Sequence, residues 1–510
     1  ARSAARASEM AVRLSIGASR SRLIGQLLTE SLLLALFGGI AGLFVAHWTL
    51  ALIMSLMPAE AAQTMAFTLS PRALLFAGAL TLGTGLLFGL FPALHSTRPD
   101  LVSTLKGLAG QPSGARGAAR FRLVLATVQI ALSMMLLAAS GFFVKSLLNV
   151  SRVDLGVRTD NVISFGLSPS LSGYKLPQTR VLFKRLEEEL RATPAVTGVT
   201  STLVPLLAGS NWGNDVAVQG FQGGPDINSN SRYNAVGPGY FSTMGVPLMS
   251  GREFTEADGP DAPKVAIVNE EFVKKFNLGR DAVGKLMGSG SGSSSKLDTT
   301  IVGVAQNAKY SEVKGNVPPL FFRPLRQEEN LGFGYFYVRT AADPAQAAPG
   351  ITAVVKRLDP NLPLEDLKTL TQQVRDNTFL DRMMTTLSSL FAGLATLLAA
   401  VGLYGVLAYT VSQRTREIGL RMALGAAPGR VRRMVLRQVA WMTAIGGAVG
   451  LAGAIALGKQ AGSLLYEMDG TDPAVLAFSA LALSTVAIAA GLIPAHRASQ
   501  VDPMHALRDQ

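Results

Sequence analysis

Six apolar stretches, near residues 29–57, 73–95, 121–147, 383–411, 435–458 and 473–495, constrain this 510-residue chain more than any other feature. Each is close to or beyond the roughly 20 residues a helix needs to cross a bilayer. A soluble core could absorb one or two such runs, but not six with polar connections between them. Composition agrees. Charged residues make up 16% of the chain, against about 25% in ordinary soluble domains, and mean hydropathy is +0.31. The fold class expected is a multi-pass α-helical membrane protein.

Positive charge sets the orientation. Short connections rich in Lys and Arg stay on the cytoplasmic side. Segments 1–26 and 96–122 carry five each, and 412–437 carries seven. The alternate connections are poor in them: 58–70 has none and 459–472 has only Lys459. Both ends of this chain are therefore expected in the cytoplasm, which also accounts for the net charge of +13 without nucleic acid. Residues 148–382 then form one α+β domain on the outer side. Apolar alternations at 161–167, 299–305 and 335–340 read as strands, and 180–194 as a charged helix. Glu187, Glu188 and Glu189 read as a solvated face of that helix, and "GSGSGSSSK" (288–296) as a flexible loop.

The chain also repeats itself. Residues 6–46 align with 414–454 without a gap, an offset of 408, and after a slip of six residues 89–106 align with 491–508. Arg6, Glu9, Arg13 and Gly17 thereby meet Arg414, Glu417, Arg421 and Gly425, and Gly38 and Gly42 meet Gly446 and Gly450. The unit is a basic helix, a span, a short outer loop, a second span and a Pro-Ala exit through Pro92 or Pro494. Four parts follow: a partial first cassette (1–112), a lone span (113–147), the outer domain (148–382) and a second cassette (383–510). The first cassette lacks the span and outer domain that precede the second, so the chain reads as truncated at its N-terminus.

In "TREIGLRMALGA" (415–426), Glu417 and Arg421 form an i, i+4 pair in the favourable order, as do Glu9 and Arg13. A basic amphipathic helix would suit an anionic leaflet by itself, but the same Glu–Arg pair in both copies points to protein docking. Gly38/Gly42, Gly85/Gly89 and Gly446/Gly450 are small-xxx-small pairs that let spans approach closely.

Catalysis is not expected. The chain has no Cys, and its four histidines, His47, His95, His496 and His505, all lie outside the outer domain. A Ser-His-Asp triad or a usual zinc site cannot form there. No G-x-x-x-x-G-K-[ST] occurs, so any ATP is bound elsewhere. No cofactor or metal is expected. His47 lies within a span but faces Ile455 in the repeat, and is read as structural. Acidic and basic residues are missing from the middle of the spans, where ion-coupled transporters place them.

The run "LLAAVGLYGVLAYTV" (397–411) followed by "QRTREIGLRMALGA" (413–426), with "IPAHRASQVDPMHALR" (493–508) at the end, resembles an FtsX/MacB-type ABC transporter permease. The duplication most resembles the acidobacterial duplicated orphan permease group. "PGYFSTMGVPLMSGREFTEAD" (238–258) and "VAIVNEEFVKKF" (265–276) are similar to the periplasmic core domain of MacB-like proteins. The resemblance implies a type VII ABC arrangement in the bacterial inner membrane, with spans 121–147 and 383–411 carrying the periplasmic domain. A separate cytoplasmic ABC ATPase would push on coupling helices, placed by position at Ala7–Ala18 and Thr415–Ala426, with Glu9, Arg13, Gly17, Glu417, Arg421 and Gly425 as their site residues. Partners implied are that ATPase, the lipid bilayer, a periplasmic partner, and a dimer or pseudo-dimer through the two cassettes. The expected function is efflux or mechanotransmission. The alternative is a non-transporting FtsX-like scaffold regulating a periplasmic partner such as a cell-wall hydrolase.

Overall fold

The structure, a computed structural model, describes residues 19–57, 70–96, 113–221, 228–290, 296–341, 343–424 and 426–500. It divides into two units. One comprises the chain up to Asn149 and from Asp381 onward, and the other is Val150–Leu380.

The first unit is helical. Its described helices are α1 (Arg20–Leu56), α2 (Pro71–Ser96) and α3 (Ser113–Ser151). After the second unit come α9 (Phe379–Gln413), α10 (Thr415–Ala423), α11 (Pro428–Gln460) and α12 (Pro473–Ala498). The helices α4–α8 belong to the other unit. Among the described residues, α1, α3, α9, α11 and α12 are long and apolar enough to cross a membrane, and α2 has a shorter apolar run, Pro71–Leu87. Local chemistry explains several boundaries. Pro428 and Pro473 open α11 and α12 at the position where a missing N–H costs nothing. Asp472 caps α12 by accepting from the N–H groups of Ala474 and Val475, both at 3.1 Å. The exit prolines Pro92 and Pro494 do not end their helices, which continue to Ser96 and Ala498.

The core of this unit joins α3, α9, α10, α11 and α12 around Ile130, Met134, Leu403, Leu407, Ile418, Val435 and Leu483, all at most 5% exposed. A polar seam runs between α3 and α9. Ser133 Oγ donates to the Ala395 carbonyl at 2.8 Å, Ser140 and Ser389 share a hydroxyl bond at 2.9 Å, and Thr385 Oγ1 donates to the Phe143 carbonyl at 3.1 Å. In hydrocarbon a hydroxyl must find such an acceptor. At the basic end, the Arg122 guanidinium lies 3.9 Å from the centroid of the Tyr409 ring, joining the same two helices by a cation–π contact.

The second unit is α+β. In chain order it contains β1 (Val162–Leu167), α4 (Leu176–Arg191), β2 (Val196–Thr202), β3 (Gly213–Val218), β4 (Asn230–Val236), α5 (Tyr240–Met244) and β5 (Leu248–Gly251). Then follow β6 (Val265–Asn269), α6 (Glu270–Lys275), β7 (Leu286–Ser289), β8 (Thr299–Ala305), β9 (Leu320–Pro324), β10 (Gly334–Thr340), α7 (Pro344–Leu358), β11 (Glu365–Thr369) and α8 (Leu370–Asn377). The strands at 161–167, 299–305 and 335–340 thus form as the alternation suggests. Gly288 and Ser289, read from sequence as loop, end strand β7, while 291–295 lie outside the described residues.

Two lobes share these strands. In one, β11, β1, β10 and β2 pair antiparallel in that order. Phe165 stacks on Phe336 at 5.4 Å between centroids, and Phe183 of α4 meets Phe336 edge-on at 4.9 Å. In the other, the order β4-β3-β7-β8-β6-β9 closes into a ring through a parallel β4–β9 pairing. Closure removes exposed strand edges. The lobes join through a single laddered pair, Thr202↔Val236 between β2 and β4.

Candidate functional site

Helix α10 holds the second copy of the docking motif. Its inner face is fixed by Ile418, 1% exposed in the helical core, with Met422 packed beside it. Burying such a side chain contributes about 2 kcal/mol. The outer face is open. Glu417 and Arg421 form an ion pair with both side chains half exposed, and Arg421 Nη1 also reaches Met434 Sδ at 3.6 Å. An exposed i, i+4 pair of this kind contributes only a few tenths of a kcal/mol. Beside it, Leu420 and Leu424 are 51% and 80% exposed. The helix is therefore anchored by one face, while a half-exposed charged pair and two exposed leucines lie on the other. Glu9, Arg13, Gly17 and Gly425 lie outside the described residues.

The glycine pairs separate into two groups. A Cβ added at Gly446 would meet Ile130 Cγ2 and the Thr127 carbonyl, each at 2.8 Å. At Gly450 it would meet Met134 Cβ at 2.5 Å and the Ala131 carbonyl at 2.6 Å, so α11 lies directly against α3 through these two positions. Gly85 and Gly89 of α2 have Ala35 Cβ at 2.9 Å and Ser31 Cβ at 2.7 Å. Gly38 and Gly42 differ: a Cβ at either finds no described atom within 4 Å. The contact on that stretch of α1 runs through Gly39, whose Cβ would lie 3.0 Å from Thr81.

Glu187 corrects the sequence reading. It is not on a solvated face but 2% exposed. It follows Phe183 by four residues and precedes Leu190 by three, which puts it on the buried stripe of α4. Its carboxylate accepts from Ser201 Oγ at 2.6 Å and from Arg326 Nη2 at 3.2 Å, with Arg191 Nη2 at 3.6 Å. Arg326 in turn pairs with Glu256. A buried carboxylate persists only when so compensated. The run of three glutamates concealed this, because two of the partners, Ser201 and Arg326, lie off the helix, 14 and 139 positions away. Asp258 is a second buried carboxylate. Arg252 grips it with two bonds of 2.8 Å and the Thr255 N–H adds a third at 2.8 Å. The Arg252 hydrogen bonds hold its carboxyl below the usual range, against the opposing effect of burial.

Among the described residues no cluster of three or more His, Asp or Glu side chains could hold a metal ion. His47 is exposed on α1.

Comparison with known proteins follows this layout. The profile of the FtsX-like permease C-terminal domain matches residues 2–101 and 389–503, and that of the MacB-like periplasmic core domain matches 123–354. A probable export ATP-binding/permease protein of Pseudomonas fluorescens is 27% identical over 303 residues, 55% of this chain and 44% of that protein. The probable syringafactin export ATP-binding/permease protein SyfD of Pseudomonas syringae pv. tomato is 23% identical, over 55% of this chain and 42% of that one. The crystal structure of the periplasmic region of MacB from Actinobacillus actinomycetemcomitans is similar at 16% identity and TM-score 0.30, covering 46% of this chain and 98% of that one. The chain spans less than half the length of the curated relatives it matches. The matched profiles are both permease profiles, and they place FtsX-like permease regions on either side of a MacB-like periplasmic core domain.

Proposed function

We propose that this chain is the permease component of an ABC-type export system in the bacterial inner membrane, driven by an ATPase on another polypeptide or segment. Both ends of the chain lie in the cytoplasm in this reading, and Val150–Leu380 lies in the periplasm. ATP-driven motion enters at α10 and at its counterpart near Ala7–Ala18, and the chain-continuous helices α3 and α9 relay it to the periplasmic domain. Substrate need not pass between the spans.

The observation that carries this reading is the split character of α10. Ile418 ties it to the helical core, while Glu417, Arg421, Leu420 and Leu424 are half or more exposed. A helix that only lay on lipid would be expected to turn basic residues outward and its leucines toward the bilayer. Here a salt bridge and two leucines share the open face, which suits a protein surface with an apolar centre and a charged rim. The names of the relatives, which join ATP-binding and permease functions, support an ATPase partner.

The test is copurification. The chain, extracted in mild detergent from its own cells, should bring down an ABC ATPase whose turnover rises in its presence. Charge reversal by Glu417→Lys with Glu9→Lys should cut that association at least tenfold. Undiminished association in the double variant would remove the two pairs from the interface.

A further inference from the structure

We propose that a cleft beside β2 binds an extended peptide segment of a second protein by strand addition. The argument starts from an unladdered edge. From Val196 to Val199, among the described residues, β2 pairs with β10 on one side only, because β4 touches it at Thr202 and the Gly237 N–H takes the Ser201 carbonyl. At about 3.3 Å per residue this leaves roughly 13 Å of strand whose second edge meets no other described strand. Most edges in such a domain are closed by pairing or covered. This one faces a cavity of about 580 Å³, lined by Thr197, Gly198 and Val199 on the strand and by Gly239 and Thr243 across from it.

The main-chain groups are turned the right way. In an antiparallel ladder, alternate residues direct their N–H and C=O to opposite neighbours. The Ser201 carbonyl points away from β10 and accepts the Gly237 N–H at 2.7 Å, where the lobes join. Two residues back, the Val199 carbonyl points the same way and, among the described residues, accepts from Arg191 Nη2 at 3.2 Å. Arg191 is 39% exposed, so its guanidinium can leave that carbonyl to an incoming amide. A charged side chain over a strand edge is a common guard against indiscriminate pairing.

The far side of the cleft is rigid. Arg339 Nε holds the Thr243 carbonyl at 2.6 Å, and the missing side chain of Gly198 lets Thr243 sit close to the strand, 3.1 Å from where a Cβ would be. Charges alternate along the chain Arg191, Glu187, Arg326 and Glu256. Arg191 and Glu256 also line the cavity. The cleft thus offers one cation and one anion beside main-chain donors and acceptors, which matches a polypeptide of mixed sign better than a simple anion. Strand addition supplies affinity through the backbone, with side-chain pockets setting preference. The inference does not depend on an ATPase, so its failure and that of the proposed function are separate.

The chain contains no cysteine, so one can be placed at will. Thr197→Cys, at an exposed position, in the full chain in lipid nanodiscs should react with a maleimide at a measurable rate. The blocked hexapeptide Val-Thr-Val-Thr-Val-Thr at millimolar concentration should slow that rate about fivefold, as expected for a Kd in the high micromolar range. The same peptide N-methylated at alternate amides, and glutamate alone, should leave it unchanged. Equal protection by the N-methylated peptide, protection by glutamate, or none by any of the three would overturn the proposal. A second measurement needs no cysteine: anisotropy of fluorescein-labelled hexapeptide should report binding to the unmodified chain and its loss in Thr197→Trp. Binding that survives Thr197→Trp would likewise overturn it.

Discussion

The two cassettes share a sequence pattern and differ in what surrounds it. Gly89 of α2 packs on Ser31 of α1, and Gly491 of α12 packs on Val439 of α11. Under the repeat these are the same two positions, so the hairpin contact is common to both copies. The outer flank is not. Gly446 and Gly450 lie against α3, whereas their equivalents Gly38 and Gly42 meet no described atom. A glycine in a helix costs roughly 1 kcal/mol relative to alanine. In the second cassette close packing on α3 offsets that cost. In the first, the described residues contain nothing that does.

The largest expected effect breaks this comparison most directly. Gly450→Val drives a branched side chain into Met134 and a backbone carbonyl that cannot move aside. It should cost about 3 kcal/mol, the upper end of ordinary overpacking, read as a loss of monodisperse protein on heating in detergent. Gly42→Val should change little in the same assay. Should it prove equally damaging, Gly42 packs against something beyond the described residues, and the asymmetry disappears.

The Val150–Leu380 unit serves as an internal standard, since it contains neither cassette. Asp258 has a folded-state pKa below its unfolded value of about 3.9, so its contribution is fully present above that value and is lost as pH falls through the folded pKa. Asp258→Asn should therefore cost roughly 2 kcal/mol at pH 7 and progressively less as pH falls below about 3.9, by tryptophan fluorescence in urea. A cassette variant such as Gly450→Val should leave that pH profile where it was. A shifted profile would mean that damage spreads between units.

A smaller effect sharpens the common part. Gly89→Ala and Gly491→Ala each place a methyl group 2.7 or 2.8 Å from a neighbouring side-chain atom. Overpacking costs about 1–3 kcal/mol, and the gain in helix propensity returns about 1. A net loss of roughly 1 kcal/mol is expected in both, by the same thermal assay. Unequal losses would show that the hairpins are equivalent in geometry but not in energy.

Much of this was legible beforehand, for reasons of scale. Twenty-residue apolar runs and i, i+4 spacing are local, and the helices and the strands at Val162–Leu167, Thr299–Ala305 and Gly334–Thr340 depend mainly on local pattern. Strand order does not. β4 pairs with β9 across some ninety residues, and nothing near either strand announces the partner. Glu187 escaped for the same reason, since Arg326 is 139 positions away. Gly38 and Gly42 show the converse limit, in which a packing motif is visible but its partner is not. Ser133 and Ser140, seven residues apart in an apolar span, were a signal of the α3–α9 seam that could have been read from spacing alone.

That seam has a mechanical consequence. Thr385 Oγ1 sits within bonding distance of two carbonyls at once, Asp381 on its own helix at 2.8 Å and Phe143 on the neighbour at 3.1 Å. A hydroxyl so placed keeps one acceptor when the other moves away. Displacement of α3 along α9 at this level therefore leaves the Thr385 hydroxyl one acceptor, whereas Ser133 and the Ser140–Ser389 pair, bonded across the seam, hold the two helices in place. The seam thus acts as a hinge pin at one end and a latch along the rest: near Thr385 the helices can part without stranding a hydroxyl, and at Ser133 and Ser140 they cannot.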